Sequence, residues 1–123
     1  MKIKARDIKG IRKCIEELDT GKIKILQYAI EHSLSDKAIA LCLNCETEQY
    51  AKNMLFTFMN EMEYDQVIAL LEHGYNPGQI FAISNYAFTG ITEGDLAQID
   101  PSMPAHSIDI KMAGIIYKRK LHK

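Results

Sequence analysis

Apolar residues recur along this chain at intervals of three and four, the spacing that places them on one face of a helix. From Asp7, the positions Ile8, Ile11, Ile15 and Leu18 predict an amphipathic helix of about three turns, with Lys9, Arg12, Lys13, Glu16 and Glu17 outward and Gly10 a modest weakness. Residues 1–5 are too few and too charged to class, a frayed end or an edge strand. Asp19-Thr20-Gly21 closes the first helix and caps a second, in which Ile23, Leu26, Tyr28 and Ile30 are placed to reach a core. Ser35 is a good N-cap for a third, its hydroxyl able to accept from an unpaired N–H of the first turn. Ala38, Ile39, Cys42 and Leu43 follow at helical spacing. The pattern breaks at Asn44-Cys45-Glu46-Thr47, and Thr47 caps a longer helix whose Tyr50, Ala51, Met54, Leu55, Phe58 and Met62 share one broad face.

Beyond it, Glu63 or Asp65 opens a helix with Val67, Ile68, Leu70 and Leu71 inside and Gly74 as a left-handed stop. Asn76-Pro77 supplies an N-cap and a first-turn proline for a helix through Ile80, Phe81, Ile83, Ala87 and Phe88 to Gly90. Thr92 and Asp95 approximate a capping box, with Ile91 and Leu96 as its staple, and that short helix stops at Asp100-Pro101. A last helix carries Ile108, Met112, Ile115 and Ile116 and ends in Tyr117-Lys118-Arg119-Lys120, cations suited to a helix C-terminus. Residues 29–44, AIEHSLSDKAIALCLN, align without a gap on residues 70–85, LLEHGYNPGQIFAISN, and a shorter echo begins at Gly90. With barely two full copies, the repeat predicts an all-α fold: one domain over residues 1–123, a compact bundle of seven to eight helices built from helix-turn-helix corners rather than an extended solenoid.

Residues 34–59 carry a further signal. Leu34, Ser35, Lys37, Ile39, Ala40 and Leu43 match in order the L-S-x-K-x-I-A-x-x-L stretch of LuxR-type regulators and related sigma-factor domains. The resemblance spans about residues 18–60 and implies a helix-turn-helix whose second helix would read DNA, with Gln49, Lys52 and Asn53 as the contacts. The chain departs from that family where Ser-x-x-Thr-Val and a lysine are usual: it has Glu46, Gln49, Tyr50 and Ala51, with Glu48 beside them. Carboxylates repel a phosphate backbone, whose neutralisation supplies most DNA affinity.

Charge sharpens that departure. Net charge is −1, yet residues 1–24 carry +4, residues 25–100 carry −9 and residues 101–123 carry +4, so the helix-turn-helix falls in the acidic block. Such segregation suits either basic ends lying over an acidic middle or a bipolar surface that steers a charged partner. At 47% hydrophobic and 25% charged residues the composition is globular rather than disordered. The absence of a long apolar span or signal-peptide core, together with an odd cysteine count (Cys14, Cys42, Cys45), points to a cytoplasmic protein without a disulfide framework. Cys42-x-x-Cys45 with His32 falls short of the four ligands of a closed zinc site, so no metal and no cofactor is expected. His32 and His73 follow glutamates at equivalent repeat positions, which suits helix ends better than acid–base chemistry.

No nucleotide fingerprint or nucleophile elbow is present, and the reading is not an enzyme. The second helix of the corner is apolar nearly all round, which marks a helix as buried or bound. Phe56, Phe58, Met59 and Met62, with the basic Lys118, Arg119 and Lys120, are therefore the candidate protein-interaction residues. The expectation is a small regulatory or interaction protein that binds a protein partner, with a homodimer as one form, of a size suited to an inhibitor encoded by a phage or mobile element. The alternative is a DNA-binding regulator of the LuxR-like type.

Overall fold

One short device builds most of the corners. A helix ends on a residue in the left-handed region, an apolar residue follows, and a capping residue opens the next helix. The left-handed positions are Ser33 (φ 58°), Glu61 (φ 66°), Gly74 (φ 100°) and Gly90 (φ 78°). The apolar residues are Leu34, Met62, Tyr75 and Ile91, and the caps are Ser35, Glu63, Asn76 and Thr92. At two of these corners the amide after the left-handed residue bonds back across the last turn, Leu34 N–H to Ala29 O (3.0 Å) and Tyr75 N–H to Leu70 O (3.1 Å), which satisfies helix-end carbonyls. Ser35, Asn76 and Thr92 accept from the amides of Ala38, Gln79 and Asp95 at 3.2, 2.9 and 3.1 Å. The two copies of the repeat thus share their backbone construction, and the corner at Glu61-Met62-Glu63 belongs to the same class without any sequence likeness.

The computed structural model describes residues 3–121, apart from the side chains of Lys13, Cys14, Phe88 and Leu121. The outward place of Lys13, the inward place of Phe88 and the state of Cys14 lie outside the described residues. Among these there is no strand and there are eight α-helices: α1 (Ile11–Glu16), α2 (Thr20–Glu31), α3 (Asp36–Leu43), α4 (Glu48–Met59), α5 (Tyr64–Glu72), α6 (Pro77–Ser84), α7 (Glu93–Leu96) and α8 (Ala105–Leu121). Single 3-10 turns precede α1 at Ala5–Lys9 and follow α6 at Ala87–Thr89. The fold is all-α, as the spacing predicts.

Helix α4 is the axis. It packs on α2, α3 and α6, and α6 in turn carries α8 and α5. Its Ala51, Met54 and Leu55 meet Ile39, Cys42 and Leu43 of α3, Ile25, Leu26 and Ala29 of α2, Ile80 and Ile83 of α6, and Ile108 and Met112 of α8 in one contiguous core. Ile39, Leu43 and Ile80, the predicted core of the corners, are buried to 3%, 1% and 0% exposure.

Two helix boundaries and the inner faces of two helices differ from the sequence reading. The helix expected from Asp7 to Leu18 breaks at Gly10 into the 3-10 turn and α1. The turn is positioned from a distance: Asn44, the C-cap of α3, accepts from Ile3 N–H (2.7 Å) and donates to Ile3 O (2.6 Å). Ile3 and Ile8 are thereby buried against α3, whereas Ile11 and Ile15, expected inward, are exposed. Tyr28 and Ile30 of α2 are likewise exposed, because Ile25, Leu26 and Ala29 already supply its inner face. The helix from Asn76 stops at Ser84, whose hydroxyl donates to Phe81 O (2.7 Å), instead of reaching Gly90.

Candidate interaction surface

Because α4 is covered on three sides, its exposed residues form one stripe: Glu48, Gln49, Lys52, Phe56 and Met59, at spacings of three and four. Its two ends differ chemically. At the N-terminal end, Lys52 Nζ lies 3.7 Å from Glu48, both side chains about half exposed, so the two charges cancel locally. Glu48 also lies across Gly21 of α2, where a β-carbon would stand 2.4 Å from its carboxylate carbon. At the C-terminal end, Phe56 is 43% and Met59 38% exposed, large values for apolar side chains on a helix packed against three others. Phe56 pairs with Phe81 of α6, ring centroids 5.9 Å apart and tilted by 42°. Asn60 completes this edge, donating to Ser84 Oγ and Asn85 Oδ1 at 3.0 Å each.

The residues proposed for DNA contact are not brought together as a free reading face. Gln49 and Lys52 are exposed, but Asn53 is half-buried where α4 meets α6, accepts from Gln49 Nε2 (3.3 Å), and lies so close to Gly78 that a β-carbon added there would stand 3.3 Å from its Nδ2. Lys37, part of the family-like stretch, sits over the Tyr64 ring at 5.8 Å.

Of the residues proposed for protein contact, Phe56 and Met59 lie together on the stripe, whereas Phe58 and Met62 do not. Phe58 points to the core side and stacks on Tyr64 (6.5 Å, 12°). Met62, 6% exposed, is the apolar plug that follows left-handed Glu61. The basic tail divides too. Lys118 and Lys120 are exposed, but Arg119 is a clamp: its Nη2 donates to Asp95 Oδ2 at 2.5 Å and its Nη1 to Gly90 O at 3.4 Å. The guanidinium first, then the Thr92 amide, hold the Asp95 carboxyl below its ordinary range.

Three residues that the sequence does not mark as site residues organise these surfaces. Phe81, half-buried, extends the apolar stripe onto α6. Buried Gln79 accepts from Asn76 N–H (2.7 Å) and donates to Pro101 O (2.8 Å) and Met103 O (2.7 Å), tying the loop before α8 to α6. Its position three residues after the Asn76 cap is the capping-box signal that announces it. Tyr86 donates to Asp109 Oδ1 (2.7 Å), and burial together with that carboxylate pushes its phenol up to about 12.

Cys42 is fully buried and its thiol is pushed strongly upward by burial, then by Cys45. Burial likewise pushes Cys45 up to about 11, and its Sγ donates to Leu41 O (3.4 Å). Both are protonated packing residues. Among the described residues, no three metal-capable side chains converge and no helix is long and apolar enough to cross a membrane. No family model matches this chain, and no curated protein or solved structure shows significant similarity to it.

Proposed function

We propose that this chain is a non-enzymatic protein-binding module that engages its partner through the ridge of Phe56, Met59 and Phe81. The observation that carries the reading is exposed Phe56, paired with half-buried Phe81 and beside exposed Met59, seated across the α4–α6 contact, the most extensive helix pairing among the described residues. Aromatic anchors on a rigid support lose little conformational freedom on binding, and methionine adapts to the opposing shape. A regulatory protein, such as an inhibitor encoded by a phage or mobile element, works through a contact of this kind, and a second copy of the chain is one partner it would accept.

A duplex-reading function comes second. It is favoured by the paired caps Ser35 and Thr47 and by exposed Gln49 and Lys52. It ranks lower because the only cation on the outward stripe is offset by Glu48, and the stripe continues into phenylalanine and methionine where phosphates would lie.

The test compares the natural chain with a Phe56→Ser, Met59→Ser variant in light scattering and in capture from a lysate of the source cell. A partner, foreign or self, that is held by the natural chain and lost by about thirtyfold or more in the variant is the expected result, matching removal of about 2 kcal/mol or more at an interface anchor. Equal retention by both proteins, with unchanged melting, overturns the reading, as does a natural chain that is monomeric and captures nothing.

A further inference from the structure

Beyond Asn60 the ridge gives way to a groove of about 1030 Å³ between α5, the end of α6 and α7. Its floor is buried Leu70 and Ile83. Its walls are short: Ala69 of α5, Ala97 after α7, and Gly90 leave the space that larger side chains would have filled. Half-buried Ile91 and Leu96 add apolar surface beside them. Around the mouth stand four exposed carboxylates, Glu61, Glu63, Glu93 and Asp100, while no lysine or arginine among the described residues lines the groove. Asp100 accepts from the amide and hydroxyl of Ser102, which favours its charged form.

We infer that this groove binds a basic amphipathic segment of a partner protein, large apolar side chains seated between α5 and α7 and lysines or arginines against the four carboxylates. Two complementarities specify that occupant. Small wall residues over an apolar floor call for bulky apolar anchors, the helix-in-groove mode of recognition. A rim of one sign calls for cations of the other, which steer approach and fix register. The volume is at the upper end of the range for small-molecule sites, and the groove opens between α5 and the single turn of α7. The site is distinct from the Phe56 ridge and does not depend on it.

The probe is a fluorescein-labelled helical peptide of leucine and lysine, about a dozen residues long so that leucines at helical spacing form one face, with a glutamate-for-lysine counterpart. Anisotropy is read with the full chain. The lysine peptide is expected to bind and to weaken with salt, while the glutamate peptide does not bind. Affinity should fall about tenfold or more in Glu63→Lys, Glu93→Lys and in Ala69→Trp, which fills the groove. It should be unchanged in Glu46→Lys, Glu48→Lys, which has the same net charge, and in Phe56→Ser, Met59→Ser. No binding by the natural chain, equal loss in the charge-matched control, or equal binding of the glutamate peptide overturns the inference. Self-association of the natural chain that disappears in Glu63→Lys, Glu93→Lys also overturns it and assigns the groove to a second copy.

Discussion

Replacing Arg119 by alanine should loosen the α7 wall of the groove while leaving the core intact. Helix α7 is a single turn, too short to persist without tertiary support. The Arg119–Asp95 pair ties it to α8, with the Asp95 side chain 8% and the Arg119 side chain 33% exposed. A charge-assisted bond of this kind contributes about 1.5–3 kcal/mol, and stranding a buried carboxylate costs more. Here the guanidinium itself covers the carboxylate, so its removal lets water in, and the loss falls at the low end, about 1–2 kcal/mol. For a chain of this length that is a melting shift of roughly 4–8 °C. Because the folded Asp95 titrates below its ordinary value, the pair stabilises the fold above the unfolded carboxyl range near about pH 4 and stops doing so as pH falls through the folded value. Natural chain and Arg119→Ala should therefore converge in acid. Chemical denaturation of Arg119→Ala, Asp95→Asn and the double variant, between neutral pH and pH of about 3, measures this, and amide exchange at Leu96 and Ala97 reports the loosened turn. Additive single losses, within about 0.5 kcal/mol, would refute the coupling.

Ile39→Ala or Ile80→Ala should each cost about 2–5 kcal/mol in denaturant titrations, since both side chains are buried in the α3–α4–α6 core; an unchanged midpoint would contradict the packing. Glu61→Gly should raise stability by about 1 kcal/mol by relieving a left-handed backbone, and Gly74→Ala should lower it by a similar amount, because a β-carbon there meets Pro101 only at ordinary contact distance (3.7 Å) and the cost is conformational. Asn44→Ala removes both bonds to Ile3 and should speed amide exchange through residues 3–9 with little effect on α4; exchange unchanged there would show that the segment is held by other contacts. In a duplex titration at physiological salt, no sequence-specific binding is expected; specific affinity near about 10⁻⁸ M that is lost in Lys52→Ala would put the regulator reading first.

The corners were legible in the sequence because each is made by residues within a few positions of one another. A left-handed stop, an apolar residue and a cap fix their own local bonds, so Ser35, Gly74, Asn76 and Thr92 could be read from residue type alone, and so could the helices they open. Glu61-Met62-Glu63 uses the same geometry with residue types that do not advertise it, and spacing alone leaves Met62 both on the inner face of α4 and among the candidate contacts, where the fold makes it a plug. Periodicity states which residues share a face, but not whether a neighbour covers that face. Ile11, Ile15, Tyr28 and Ile30 were placed inward by spacing and lie outward, since the covering elements were already occupied by Ile8, Ile25 and Leu26. On α4 the same limit separates Phe56 and Met59, which meet water, from Phe58, which meets Tyr64. The long-range polar ties leave no periodic trace at all. Asn44 to Ile3, Gln79 to Pro101 and Met103, and Arg119 to Asp95 each join positions more than twenty residues apart through side chains that a sequence reading assigns to caps or to a solvated tail. Local chemistry therefore determined the helices and their corners, while the ridge and the groove arose only when those helices excluded one another from water, because exposure is a property of neighbours rather than of residues.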